Sequence, residues 1–287
     1  MMELPETMVV TAQINKILIG KKITHVFNAT KLHRFAFFHK DPKEYEKILA
    51  GKIIKSATGY GMFIDITLND GAIISVGEGA NMKYGKPGDK IPGSYQLLIG
   101  FEDNSFLVFS ISLYGFIGVY ADGVIEEIYH KQNKENLSPL QEAFSMEYFN
   151  TLIAQCSPNF SVKALLATEQ RLPGIGNGVL QDILFYAKLN PKRKISTLQT
   201  EEKEKLYQTM KQILQEMLHK GGRDVERDLL GNPGKYHTIL SSKTWKEPCP
   251  ICGSTIRKEA YMGGTVYYCP TCQPLPGKQT KDTETLQ

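Results

Sequence analysis

The chain has 287 residues, 41% of them hydrophobic and 22% charged, enough for one large domain or two medium ones with ordinary cores. No apolar run approaches the ~18 residues of a membrane span. The N-terminus also lacks a basic stretch followed by an apolar run, so a membrane-embedded or secreted protein is not expected and a cytoplasmic location is. The net charge of +4 is uneven: residues 1–130 carry 13 Lys/Arg against 14 Asp/Glu, whereas residues 131–287 carry 21 against 16. An excess in the second half suits contact with phosphates, and equally suits ordinary solvated charge.

In chain order, the first predicted element is a helix from about Pro5 to Ile19. Pro5 fits a first turn, Gly20 fits the end, and Val10, Ile14, Ile17 and Leu18 share an apolar face. From Ile23 to Tyr120 the signal is β. Ile64, Ile66 and Leu68 alternate with Asp65 and Thr67, and Asn69-Asp70-Gly71 turns the chain into Ala72–Val76. Tyr95–Phe101 and Phe106–Ile111 form a second pair. Several short strands joined by tight turns predict a β-sandwich. Lys83–Pro92 reads as a loop, and the polar segment 131–140 as an interdomain linker. Helices follow: one with Phe144, Tyr148, Leu152 and Ile153 on one face, and one over Glu201–Lys220 with Thr200 as N-cap and Gly221-Gly222 ending it. The last residues form a polar tail, expected to be disordered.

Five cysteines are present. Cys156 follows an apolar helical pattern and reads as a buried free thiol. The other four form two Cys-x-x-Cys pairs, Cys249/Cys252 and Cys269/Cys272, with 16 residues between the pairs. Four thiolates complete a closed tetrahedral shell, which suits structural zinc and leaves no open position for catalysis. The intervening residues read as two short strands around Met262-Gly263-Gly264, a β-hairpin zinc finger too small to fold without its metal. Upstream, Arg171-Leu172-Pro173-Gly174-Ile175-Gly176-Asn177 leads into a helix. Glycines let the backbone approach a partner, and the helix start can bind a phosphate with Asn177 adding a side-chain bond. A tight interhelical turn with no ligand is the other reading of the same residues.

Taken together, the Met-x-Glu-Leu-Pro-Glu start (Met1 to Glu6), the Gly174-Ile-Gly-Asn turn, Asp182-Ile-Leu-Phe, Asn190-Pro191 and a finger ending Cys-Pro-Thr-Cys-Gln resemble the formamidopyrimidine-DNA glycosylase / endonuclease VIII family. The resemblance covers residues 1 to about 273. It implies an α+β fold: an N-terminal β-sandwich with flanking helices over residues 1–130, a helix–two-turn–helix domain over 131–240, the zinc finger over 241–273 and a tail over 274–287. It also implies a monomer that flips a damaged nucleotide out of double-stranded DNA, excises the base and cuts the abasic site. On that resemblance Lys163 and Asn177 hold phosphates, with Gly174 and Gly176 in the same turn. The hairpin tip at Gly263 and Gly264 reaches the DNA. Tyr114 is an aromatic wedge, or else part of the sandwich core or surface.

The sequence departs from the family where chemistry is expected. The family's nucleophile is a Pro after the initiator Met; here that position is Met2. A bulky second residue keeps Met1 in place, so the available amine is the Met1 α-amine, shifted by one residue. The family's Lys after a strand glycine falls on Met62, which cannot move a proton. Its finger Arg falls on Gly264, and two wedge positions fall on Glu78 and Leu113. Glu3 matches the general acid/base carboxylate. Glu6 matches a carboxylate at the first helix, or simply a cap. Two functions follow: a glycosylase with abasic-site lyase activity, or a binder of damaged or abasic DNA that keeps the grip without the usual chemistry.

Overall fold

The computed structural model describes residues 2–77 and 79–276; Met1, Glu78 and residues 277–287, which include nearly all of the expected tail, lie outside the described residues. The chain divides into two compact units, each built from separated stretches. One comprises residues 1–143, 169–175 and 214–237; the other comprises 144–168, 176–213 and 238–287.

In the first unit, α1 (Leu4–Ile17) precedes β1 (Ile23–Asn28), β2 (Ala36–Phe38) and the short α2 (Tyr45–Leu49). Next come β3 (Ile54–Tyr60), β4 (Phe63–Leu68), β5 (Ile73–Val76), β6 (Ala80–Gly85), β7 (Leu97–Phe101), β8 (Phe106–Ile111) and β9 (Gly115–Tyr120). They make a four-stranded sheet in the order β1-β7-β8-β6 and a five-stranded sheet in the order β2-β9-β5-β4-β3. The expected hairpins are present: Ile66 faces Ile74 in one, and Ile99 faces Leu107 in the other. Inward residues of both sheets (Ile64, Ile66, Ile74, Leu97, Ile99, Phe109) share one core with Val10, Ile14 and Leu18 of the first helix. The alternation read from the sequence is therefore the pleat's inward face.

One expectation fails here. Residues 131–140 are not all linker: α3 (Ile128–Glu135) runs through the first half, and its His130 and Asn133 are buried. The segment is polar because its anchors are polar. His130 Nε2 meets Asp65 Oδ2 at 2.8 Å, and Asn133 Oδ1 accepts the Met62 amide at 3.0 Å. Composition alone cannot separate a buried polar anchor from a solvated loop.

The second unit holds α4 (Met146–Gln155), α5 (Val162–Ala167) and α6 (Val179–Ala187), most of α7 (Thr200–His219), and the hairpin β10 (Arg257–Tyr261) and β11 (Gly264–Tyr268). Ser145 caps α4 by accepting from the Tyr148 amide, and Ser161 caps α5 by accepting from Ala164, each satisfying an orphan donor of the first turn. The α4 face differs from the expected one: Phe149 and Leu152 are its buried side chains, while Tyr148 is only half-buried. Cys156 is buried, and its thiol donates to the Leu152 carbonyl at 3.2 Å. Among the described residues no helix is long and apolar enough to cross a membrane.

Candidate functional site

The N-terminal corner is built inside the first unit. Glu3 and Glu6 form a capping box at the start of α1, with Glu6 Oε2 accepting the Glu3 amide at 3.1 Å. The Glu6 carboxylate is also gripped by Arg223, 217 residues away. The Arg223 amide and Nε each donate to Oε1 at 3.0 Å, and Nη2 donates to Oε2 at 2.8 Å. Glu3 Oε2 lies 3.7 Å from Arg223 Nη1. All three residues are at least 96% buried. Burial alone would raise the Glu6 pKa, but the Arg223 charge and hydrogen bonds outweigh it and hold the carboxyl below its usual value. Burial opposes the Arg223 charge as well, yet Glu6 and Glu3 raise its pKa.

Glu3 is buried at this corner and has a structural partner in Arg223. Met2, where the sequence reading places the family's nucleophile, is 5% exposed and packs into the sandwich core. The Met1 amine lies outside the described residues. Met62, where the sequence reading places the family's Lys, is 2% exposed, and its amide donates to Asn133 Oδ1.

Gly174 belongs to this corner as well. It is buried, its carbonyl accepts the Leu4 amide at 2.9 Å, and its φ is +79°. A Cβ there would stand 2.6 Å from Leu4 Cβ and 2.8 Å from the Gly61 backbone. Glycine is needed for this close backbone approach. Tyr114, between β8 and β9, is 39% exposed and Leu113 beside it 66%, so Tyr114 is a surface ring rather than core. Glu78 lies outside the described residues.

The second unit gathers the other candidates. The four cysteine Sγ atoms all lie within 4.8 Å of one another, with Cys249–Cys272 at 3.8 Å and Cys252–Cys269 at 3.4 Å. Tetrahedral thiolates on zinc at ~2.3 Å stand roughly 3.8 Å apart, so the cluster fits a structural zinc ion with four Cys ligands. The finger is tied down by amide side chains. Gln273 accepts from the Cys269 amide and donates to the Leu189 carbonyl, at 3.0 and 2.9 Å. Gln181 of α6 donates to the Thr265 carbonyl and accepts from the Tyr267 amide, at 2.9 and 3.0 Å. Asp182, fully buried, accepts the Ile239 and Leu240 amides, both at 2.9 Å.

The hairpin turns through two residues, Met262 and Gly263, with φ of +48° and +71°. Both signs are those of a type I′ turn, which normally carries Asn-Gly or Gly-Gly. Lys163 holds it. The Lys163 ammonium, buried, donates to the Tyr261 carbonyl in a short bond and to the Met262 carbonyl at 3.4 Å. Burial lowers its pKa. Lys163 is thus spent largely on the finger's turn, where the sequence reading gives it to a phosphate. Asn177 is exposed, Gly176 half-buried, and the Asn177 amide fills the space beside Gly264: a Cβ at 264 would lie 2.5 Å from its Nδ2. Sequence reasoning missed Arg223, Asn133 and Gln181, each of which acts through a partner far away in the chain.

Residues 136–228 match the family model for the formamidopyrimidine-DNA glycosylase H2TH domain. The formamidopyrimidine-DNA glycosylase of Listeria monocytogenes serovar 1/2a is 27% identical over 283 residues, 95% of this chain and 100% of the relative. The chain is thus similar to the formamidopyrimidine-DNA glycosylase / endonuclease VIII family along nearly its whole length. Two solved members share its fold. The Lactococcus lactis protein in complex with abasic-site DNA matches with a TM-score of 0.81 at 22% identity, covering 95% of this chain and 99% of that one. The Thermus thermophilus protein matches with a TM-score of 0.77 at 24% identity, with the same coverage.

Proposed function

We propose that this protein recognises damaged or abasic double-stranded DNA in base excision repair. The observation that carries the reading is the second unit's cluster: an exposed Asn177 amide at the entrance to α6, packed on Gly264 of a zinc hairpin whose turn Lys163 fixes. Such a surface offers backbone and amide donors to phosphates on a rigid frame, with no long side chain to order first. On this reading residues 1–130 carry the lesion-facing part, 131–240 the helical grip and 241–273 the finger. Gly176, Asn177 and Gly263 are the direct phosphate neighbours, Gly174 and Lys163 hold the frame, and Tyr114 is the wedge. The protein works as a monomer in the cytoplasm. The DNA-bound Lactococcus lactis relative supports this reading: one structure of it holds abasic-site DNA, another DNA containing N7-benzyl-Fapy-dG.

For the chemistry, a family-like glycosylase and abasic-site lyase needs an amine that attacks the sugar C1′: at a damaged nucleotide the base leaves as the C1′–N bond breaks, at an abasic site the C1′ aldehyde loses water, and either route gives the iminium. Glu3 would serve as the acid/base group. A second reading, a binder with little of that chemistry, is favoured by the apolar Met62 and by a Met2 side chain buried in the core. Borohydride trapping on abasic-site DNA separates the two. A covalent adduct at the native N-terminus establishes the lyase. No adduct, with affinity that falls steeply with salt, establishes the binder. Duplex binding independent of salt, and unchanged in N177A, would remove the phosphate grip and the reading with it.

A further inference from the structure

We propose that Arg223 sets the substrate of the N-terminal corner: it directs the site to nucleotides that have already lost their base and away from base excision. The inference rests on the lyase reading and adds a specificity-determining residue to it. Excision and abasic-site cleavage ask different things of Glu3. When the C1′–N bond of a nucleotide breaks, the electron pair leaves with the base, which takes up a proton. A carboxyl group gives that proton only in its neutral form. At an abasic site that bond is already gone. An amine adds to the C1′ aldehyde and water leaves, carrying a solvent proton, which gives the iminium. The C2′ proton then passes to a base, a C2′–C3′ double bond forms, and the C3′–O bond breaks with its electron pair going to the phosphate. An ionised Glu3 can take that proton, and no step needs it to give one.

The fold brings Arg223 to Glu3 and keeps it there. After α7 come Gly221 and Gly222, both with positive φ, and the chain turns directly over Glu6: a Cβ at Gly222 would stand 3.3 Å from Glu6 Oε1. Glycine fits that approach. On either side of Arg223 the backbone is tied to Tyr236, whose amide donates to the Gly222 carbonyl at 3.1 Å and whose carbonyl accepts the Asp224 amide at 2.9 Å. The Arg223 amide itself donates to Glu6. Nε and Nη2 face Glu6, and Nη1 faces Glu3 at 3.7 Å.

This setting favours the ionised form of Glu3. Glu3 and Arg223 are both buried, so little water screens them from each other. Glu3 stands at the start of α1 in its capping box with Glu6, where the helix dipole favours negative charge. The Glu3 charge helps to raise the Arg223 pKa. That coupling is mutual, so the guanidinium favours a charged Glu3 in turn. Burial opposes the charge, and two like charges face the same guanidinium. Glu6 is matched at short range by its three bonds from Arg223. Glu226 lies at 4.0 Å from Nη2 and is partly exposed to water. The cation, the helix start and the capping amide together hold Glu3 as the carboxylate.

The test compares the whole unaltered protein with E6Q and E6Q/R223M on duplexes carrying an abasic site, 8-oxoguanine or 5-hydroxyuracil. E6Q keeps the cation beside Glu3. E6Q/R223M leaves Glu3 buried without it, which favours the neutral form. The unaltered protein is expected to be trapped by borohydride on the abasic duplex, and neither it nor E6Q to release a base at neutral pH. E6Q/R223M is expected to release one of the two bases roughly a hundredfold faster than either, and faster still as pH falls. E6Q is the least stable of the three, so a gain that merely followed loosening would appear there first. Carbon-13 NMR of labelled glutamate reads Glu3 directly: ionised at neutral pH in the unaltered protein and E6Q, and titrating at higher pH in E6Q/R223M. Base release by the unaltered protein or by E6Q, none by E6Q/R223M, or a Glu3 that titrates alike in all three overturns the role of Arg223 and leaves the lyase reading standing. An unaltered protein that is not trapped on abasic DNA removes the lyase reading, and the specificity with it.

Discussion

The N-terminal corner and the finger-bearing unit have diverged in opposite senses from what their residues suggest. In the finger unit, residues that look like spare donors are built into a rigid frame. Lys163 fixes a turn, Gln181 and Gln273 clamp the hairpin, and the four thiolates close on a metal. In the corner, positions that should carry chemistry are absorbed into packing. Met2 joins the core, Met62 is buried, and Glu6 is neutralised by Arg223. A surface that binds needs shape and donors, and both survive there. A group that transfers protons needs access and a free lone pair; the Met2 and Met62 side chains are buried and apolar, and the Glu6 carboxylate is held by Arg223. Breaking each region in turn should therefore cost different things.

The largest effect is expected from the metal. Structural zinc contributes on the order of 10 kcal/mol to small finger domains. Cys269→Ser, or exhaustive chelation, should release one zinc per chain, measured by native mass spectrometry. It should abolish duplex binding while the sandwich still melts cooperatively. A chain that holds no zinc as purified, yet binds DNA, would break the comparison at its base.

Next is the buried ion pair of the corner. Removing one partner of such a pair leaves the other charge uncompensated, at about 3–5 kcal/mol. Glu6→Gln should lower Tm by on the order of 10 °C, and the double variant E6Q/R223M should recover part of that loss. The folded Glu6 pKa is depressed, so its stabilisation is complete above the unfolded value near ~4.3. It is lost as pH falls through the lower folded value. A melting series from neutral pH downward should show the gap between Glu6→Gln and the unaltered protein narrowing only below that point. A gap that already shrinks near neutrality would assign the loss to another group.

How much of this was legible in the sequence follows the same division. Local signals carried the sandwich hairpins, α1, the helical second half and the four-thiolate site, because each depends on spacing within a few residues. The Asn133 anchor in α3 was hidden behind a linker-like composition. Arg223 sits after a helix end with nothing near it to mark a carboxylate 217 residues upstream as its partner. Met262 stands where turn chemistry favours Asn or Gly, so its left-handed backbone was unreadable without knowing that Lys163 reaches across to hold it. Long-range polar pairing is invisible to periodicity, and it is what decides which residues here are frame and which are free.

That hold is the third prediction. Lys163→Met keeps the buried stem of the side chain but leaves the Tyr261 and Met262 carbonyls without their donor. The expected cost is about 1–3 kcal/mol, seen as a lower Tm, with the Met262–Gly263 amides exchanging hydrogen faster. Duplex affinity should fall in parallel with loosening of the turn. A Lys163→Met protein with unchanged exchange at the turn but lost affinity would return Lys163 to direct phosphate contact.

The smallest effect tests the exchange at the finger's edge. Gly264→Arg puts back the side chain that the family resemblance assigns there. The collision it creates is with the Asn177 amide, the far end of a side chain that can rotate, and Gly264 is not among the residues with positive φ. Stability should therefore change by less than about 1 kcal/mol. The added guanidinium should steepen the dependence of log affinity on log salt by about one unit, as one more phosphate contact does. If instead affinity drops while the slope stays the same, then the resting place of the Asn177 amide, not the missing charge, is what this surface uses to hold DNA. Asn177 and Gly264 would then form a matched pair that an arginine displaces.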